Sequence, residues 1–346
     1  MKPPERGKGT PPLRQSGLVP AGDSPFIRKI LAEAPASAKP LPLTKSTRKL
    51  IDAGASIIEE PPTPDELAYM ARELVQCTLP HSDPGQVPFW TRTNGNLTLS
   101  IVSGVDPRGP KLVGYPYGSI PRLLIFWITT EALRTSSRHL HLGASYAGFL
   151  REIGLDPNTG GGKRGDGKRV REQTRRLFAA SISFIQTLDV GNVQGERRLN
   201  MAVADASELW WNPKAPDQPT LWDSWVELGQ KFYDAVTSSP VPVDTRALKA
   251  LKRSPLALDL YAWSTHKALA VARKGKSQFV PWIGLMRQFG SDYSDRDNFK
   301  KKAQQALKKI QAVYPGLRLE DASGGIIVLP SSRPAVPYKP AQRSLT

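Results

Sequence analysis

Apolar residues follow no sustained helical or strand period over residues 1–64, whereas from Thr63 onward they fall into periodic runs. The first stretch holds twelve prolines and few aromatics and is mildly basic. It reads as a disordered arm, with room for a short helix near Phe26 to Leu31. Thr63, Pro64, Asp65 and Glu66 supply a capping threonine, an N1 proline and first-turn acids. They predict a helix through about Cys77. FWTRTNGNLTLSIVSG alternates apolar and polar positions, predicting a hairpin with its tight turn at Asn94-Gly95. Ser119-Ile120-Pro121 opens a helix whose run LLIFWITTEAL is apolar nearly all round, which makes it core.

HLHL (139–142) predicts a short strand, and SYAGFLREIGLD a helix stopped by Gly154. KRVREQTRRLF predicts a second helix, and SISFI and LNMAVA two strands around a polar, glycine-containing excursion. Helix, helix, strand, turn, strand is the order of a winged helix. The same order recurs at an offset of 136, where WIGLMRQFGSD (282–292) aligns without gaps to YAGFLREIGLD (146–156). A basic helix follows each copy, and then a hairpin; the second is LRLEDASGGIIVL, turning at Ser323-Gly324-Gly325. The expected fold class is therefore α+β, with tandem winged-helix (helix-turn-helix variant) domains.

The organisation this predicts is an arm over 1–64, winged-helix domain 1 over 65–238, winged-helix domain 2 over 239–332 and a flexible tail over 333–346. The join falls near TSSPVPVD (237–244), a proline-containing breaker. Asp244 is placed to cap the helix TRALKALKRS, which lies beside the helix PLALDLYAWSTHKALA.

At 100° per residue, Phe299, Ala303, Ala306, Ile310 and Val313 form one stripe, with Lys301, Gln304, Gln305 and Lys308 pointing away. In the first copy Val170, Thr174, Leu177 and Phe178 face inward, and Arg171, Glu172, Arg175 and Arg176 outward. Arg or Lys can address guanine O6/N7, and Gln adenine N6/N7. Residues 163–176 carry seven basic and two acidic side chains, and residues 296–309 six and one. These two windows supply +10 of the net charge of +17, which concentrates the demand for a polyanion on two helices.

The 346 residues suffice for about two domains. There is no run of about 18 apolar residues, so no membrane span is expected, and no apolar signal region. The single cysteine, Cys77, excludes an intramolecular disulfide and a cysteine zinc cluster, which fits a reducing cytoplasm.

Two enzymatic readings compete. Gly162, Gly167 and Lys168 nearly spell a phosphate-binding loop, but the segment follows a helix, and Arg169 stands where Ser or Thr would hold magnesium. His139 and His141 share a strand face, as in HUH-type nickases, where two imidazoles bind a metal and a tyrosine attacks DNA. Here no third ligand is evident, Tyr146 is explained by the repeat, and the second copy lacks the histidines. Ordinary half-buried strand histidines are expected instead. His81 and His266 stand alone. Trp210, Trp211, Trp222 and Trp225 read as packing between strands. No cofactor, metal or catalytic residue is expected.

NGNLTLSIVSG, YPYGSIPRLLIFWITTEALR, GGGKRGDGKRVREQTRRLFAASISF, SPVPVDTRALKALKRSPLALDLYAW and KKAQQALKKIQAVYPGLRL resemble plasmid-encoded RepA replication initiators of broad-host-range bacterial plasmids. The resemblance covers roughly residues 85–332. It implies a non-enzymatic cytoplasmic protein that binds repeated origin sequences (iterons) on double-stranded plasmid DNA as a monomer. It further implies opening of adjacent A·T-rich DNA and recruitment of the host replication initiator and replicative helicase. A homodimer in equilibrium with the monomer would bind an inverted repeat and control copy number.

By the resemblance, Lys163, Arg164, Lys168, Arg169, Arg171, Arg175 and Arg176 map to the first recognition region. Lys300, Lys301, Lys302, Gln304, Gln305, Lys308 and Lys309 map to the second. In related initiators the first domain tends to hold the backbone while the second reads bases. The alternatives are a winged-helix repressor acting only as a dimer, and a metal-dependent nickase using His139 and His141.

Overall fold

Thr44 caps the first helix, its Oγ1 accepting from the Thr47 amide at 3.1 Å. The computed structural model describes residues 44–336 apart from 107, 108, 110, 159–165, 211–222, 291, 292 and 294. Helix α1 (Lys45–Glu59) corrects the expectation of a disordered arm to residue 64. Leu50, Ala53, Gly54 and Ile57 give it an apolar stripe that packs on helices near the C-terminus. The proposed helix near Phe26 lies outside the described residues.

The Thr63–Glu66 capping box forms, with the Thr63 amide donating to Glu66 Oε2 at 3.0 Å. It caps only a 3-10 turn (Pro64–Glu66), not a helix to Cys77. Strand β1 (Leu67–Met70) follows, because Ala68 and Met70 are buried in a ladder with residues 241–244. Helix α2 (Arg72–Gln76) is short.

Strands β2 (Trp90–Asn94) and β3 (Leu97–Val102) make the expected hairpin, but the turn is Gly95-Asn96, one residue later than predicted. Asn94 pairs with Leu97, and Gly95 takes the positive φ of +60° that the turn demands. Strands β4 (Val105–Asp106) and β5 (Lys111–Leu112) form a minor ladder. Helix α3 (Ser119–Thr135) is buried along most of its length, as its apolar circumference predicts.

Strand β6 (His139–His141) leads to helix α4 (Tyr146–Glu152), capped by Ser145 Oγ accepting from the Gly148 amide at 3.0 Å. Helix α5 (Asp166–Phe178) is the second of the pair. Strands β7 (Ser181–Val190) and β8 (Val193–Ala202) then pair at all ten positions, from Ser181↔Ala202 to Val190↔Val193. The excursion expected between two short strands is thus itself strand, a long wing. Strand β3 adds to β7, so the wing belongs to a four-stranded sheet ordered β2-β3-β7-β8.

Strands β9 (Ala204–Glu208) and β10 (Trp225–Leu228) join β6 in the order β6-β10-β9, and helix α6 (Gln230–Ser238) follows. The expected breaker contains strand β11 (Val241–Asp244), which pairs with β1. Pro242 is accommodated opposite Tyr69 because both strands of this two-stranded ladder are edges. Asp244 does cap helix α7 (Thr245–Leu251), accepting from the Arg246 amide at 2.8 Å.

Helix α8 (Pro255–Lys274) precedes the second copy of the unit: strand β12 (Gln278–Pro281), helix α9 (Trp282–Phe289), helix α10 (Arg296–Val313) and the hairpin β13 (Leu319–Ala322) and β14 (Gly325–Val328). Its sheet has three strands, in the order β12-β14-β13. The α+β class and both helix-helix-hairpin units are therefore as the sequence predicts. Residues 333–336 are not a loose tail: Tyr314 donates to the Arg333 carbonyl at 2.6 Å, and Val336 is buried. Residues 337–346 lie outside the described residues.

From Leu43 onward the chain is one compact unit with a single apolar core drawn from both repeats. The helices that precede the two repeats are also joined, by a buried ion pair between α3 and α8. Arg122 and Asp259, with side chains 2% and 5% exposed, meet in bidentate fashion: Nε to Oδ1 at 2.7 Å and Nη2 to Oδ2 at 2.8 Å. The remaining guanidinium donors reach the carbonyls of Leu79, Pro80 and Gly118 and the Thr78 hydroxyl. His81 Nε2 lies 2.9 Å from Asp259 Oδ2, so His81 does not stand alone. Burial pushes the Asp259 carboxyl up, but the Arg122 charge and the His81 hydrogen bond outweigh it and hold the pKa at about 2. Such a pair is costly to break by halves, at about 3–5 kcal/mol, because a buried charge is left behind.

Candidate nucleic-acid interface

Helix α5 presents fewer free cations than its sequence suggests. Val170, Thr174, Leu177 and Phe178 are buried as predicted, and Lys168 and Arg169 are exposed in the first turn. Arg169 lies 3.5 Å from Asp166 and remains half exposed, at 51%. Arg171 is half-buried. Arg175 reaches toward Asp106 at 3.5 Å and Glu172 at 3.8 Å.

Arg176, expected to face outward, is only 16% exposed. It donates to Asp83 Oδ2 at 3.0 Å, Glu172 Oε1 at 3.1 Å and the Tyr115 carbonyl at 3.2 Å. Its guanidinium also sits 5.3 Å from the Tyr117 ring centroid. The loop before α3 folds over this part of α5, which a helical projection cannot show. Lys163 and Arg164 lie outside the described residues, with most of the glycine-rich loop.

Helix α10 is different. Asp295 caps it, accepting from the Asp297 amide at 2.7 Å. Phe299, Ala303, Ala306, Ile310 and Val313 are buried, joined by Leu307. Lys301, Lys302, Gln305, Lys308 and Lys309 are exposed, and Lys300 and Gln304 half-buried. None of these five lysines pairs with a carboxylate among the described residues. The helix thus offers a row of ammonium groups with two amides among them, on a scaffold fixed from behind by α8 and from the side by α1.

Sequence reasoning missed Arg197 and Arg198, both exposed on the wing strand β8, where Arg198 pairs with Glu196 at 2.9 Å. The signal was present as a basic pair inside a segment that reads as a loop.

The histidines of β6 are exposed, not half-buried, and their rings lie 5.0 Å apart. His139 stacks on Trp225 at 4.9 Å. Trp210 is exposed and, like Trp225, donates to Glu208, so it packs between no strands; Trp211 and Trp222 lie outside the described residues. Tyr146 donates to the Gly167 carbonyl, tying the start of α4 to the start of α5. Among the described residues no group of three or more His, Cys, Asp or Glu side chains is placed to hold a metal ion. No described helix is long and apolar enough to cross a membrane.

Two basic helix-helix-hairpin units define the class to which the comparisons speak. Residues 115–283 match the family described as plasmid encoded RepA protein. That stretch, from the end of the loop before α3 to the start of α9, is RepA-like, as the quoted motifs imply; α10 lies beyond it. No curated protein sequence gives a match. Among solved structures, the crystal structure of selenomethionine derivatives of domain 2 and domain 3 of RctB aligns with a TM-score of 0.43 and 10% identity, over 77% of this chain and 97% of that one. A second structure of RctB domains 2-3 gives 0.41 and 9%, over 74% and 94%.

Proposed function

We propose that this protein is a replication initiator that binds the origin of its own plasmid, and that it acts without enzymatic chemistry. The observation that carries the reading is α10: five lysines without carboxylate partners among the described residues, and two glutamines, on the second helix of a helix-helix-hairpin unit. The RepA match supplies the biological setting. In this reading the two units bind repeated sites on double-stranded DNA. Phosphate contacts supply affinity and its salt dependence. Contacts summed over several repeats offset the cost of bending and opening A·T-rich DNA. Recruitment of a host initiator and helicase, and a dimer that represses its own gene, belong to the same reading.

The test is footprinting on the plasmid's origin, using wild-type and His139→Ala protein with magnesium or manganese present. Regularly spaced protection over direct repeats, without cleavage, is the expected result. Protection of one inverted repeat alone would instead make the chain a repressor. A metal-dependent nick that disappears in His139→Ala would make it an enzyme.

A further inference from the structure

Away from the exposed faces of α5 and α10, cations from three separate elements converge on one open cleft of about 470 Å³. Lys49 comes from α1, Arg151 from α4, and Lys249 and Lys252 from the C-terminal end of α7 and just beyond it. Arg246 also lines the cleft, but its charge is met by Asp244 at 2.7 Å and Glu66 at 3.8 Å, and it ties α7 to the end of α1. Neither Lys49 nor Lys249 has a carboxylate partner among the described residues.

The Lys252 ammonium donates to the Gly154 carbonyl. Burial and then the charges of Lys49 and Arg253 lower its pKa, against the opposing pull of Asp166 and Asp156. Gly154 adopts a φ of +79° and packs so closely that an added Cβ would lie 3.0 Å from Lys249 Cγ. Lysines at a helix C-terminus are ordinarily explained by the last carbonyls and the helix dipole. That explanation covers Lys249 and Lys252. It does not explain why Lys49 is brought to the same place from a helix far away in sequence.

We propose that this cleft is a phosphate-binding subsite, separate from the exposed faces of α5 and α10, that takes a phosphate group of a polyanion. Like charges gathered around one cleft repel, and a multiply charged anion removes that cost. Lysine suits phosphate as a point charge without strict geometry. The phosphate can come from the DNA backbone or from a free polyphosphate compound, and the experiment separates the two. The inference does not depend on α10 reading DNA, since a free phosphate compound would occupy the cleft regardless.

The experiment uses the full chain, the exposed pair Lys49→Gln/Lys249→Gln, and two probes: inorganic tripolyphosphate and a non-specific DNA duplex. An unliganded Tm equal to that of wild type certifies the variant's fold. Tripolyphosphate at ten times its Kd raises the wild-type Tm by roughly 3 °C, and the variant loses most of that shift. If the duplex uses the cleft, the variant's slope of log K against log salt shrinks by about 1 for each lysine withdrawn from a phosphate. Loss of the tripolyphosphate shift alone identifies a free phosphate compound. A smaller DNA slope identifies the backbone. A tripolyphosphate shift that is absent from wild type or identical in the variant, together with an unchanged DNA slope, overturns the proposal. Lys301→Glu/Lys308→Glu protein should keep its tripolyphosphate shift while losing DNA, so failure of the α10 reading and failure of the cleft are distinguishable.

Discussion

In the last turn of α5 the arginines are enclosed: Arg176 is held by Asp83, Glu172 and the Tyr115 carbonyl, and Arg175 faces Asp106. On α10 the lysines have no such partners among the described residues. The two helices occupy the same place in two copies of one unit and carry the same formal surplus over the windows 163–176 and 296–309. Their chemistry explains the divergence. A guanidinium presents a planar fork that can satisfy several acceptors at once, so it serves as an internal tie, whereas an ammonium on a flexible stem stays hydrated. Net charge treats the two as equal. The fold does not, and among the described residues it leaves more unpaired charge on the second copy's helix than on the first's.

The most severe way to disturb the comparison is to break the ion pair between the helices that precede the two copies. Asp259→Ala leaves Arg122 buried without its carboxylate and should lower unfolding stability by about 3–5 kcal/mol, read as a shift of the urea midpoint. Next comes Lys301→Glu/Lys308→Glu. Origin affinity should fall about 100-fold because attraction to phosphates gives way to repulsion, with Tm unchanged. Equal affinity in a folded double variant would remove α10 as the reader.

Acid sharpens the same contrast. Asp259 is held at about 2 in the fold, below an unfolded carboxylate near 3.9. Its contribution is therefore complete above the unfolded value and is lost as pH falls through the folded one. Wild type should lose on the order of 2 kcal/mol between pH 4 and 2 beyond the loss shown by Asp259→Asn, measured by urea titration at each pH. The smallest effect belongs to α5. Arg176→Ala should cost about 1–2 kcal/mol of stability, while binding to the origin well below Tm stays within about threefold. A large binding defect in that variant would show that the two helices share the work.

Much of this was legible in the sequence. The paired helix-helix-hairpin units follow from aligned glycines, caps and apolar periods. The α10 face followed from its helical projection because little packs over it. Arg176 failed the same projection because Asp83 and Tyr115 come from two loops that no helical wheel contains. Helix α1 was hidden by averaging: the twelve prolines of residues 1–64 leave the stretch between Pro42 and Pro61 free of them, and Leu50, Ala53, Gly54 and Ile57 sit there at helical spacing. Gly54 has its own reason, since an added Cβ would lie 2.2 Å from the Ala312 carbonyl oxygen. Strand β11 was obscured by Pro242, which reads as a breaker unless its partner strand is known. The Arg122–Asp259 pair spans 137 residues, and no local pattern announces it.

The wing of the first copy is not an isolated flap. Through β3 it continues into β2, and β2 rests on α9, where Arg92 Nη1 donates to the Arg287 carbonyl at 3.3 Å. In mechanical terms the sheet is a lever. Its long arm is the hairpin of two ten-residue strands, and its short arm bears on the helix immediately before α10. The tip of one unit and the foot of the other thus lie on one continuous path of strand pairing and packing.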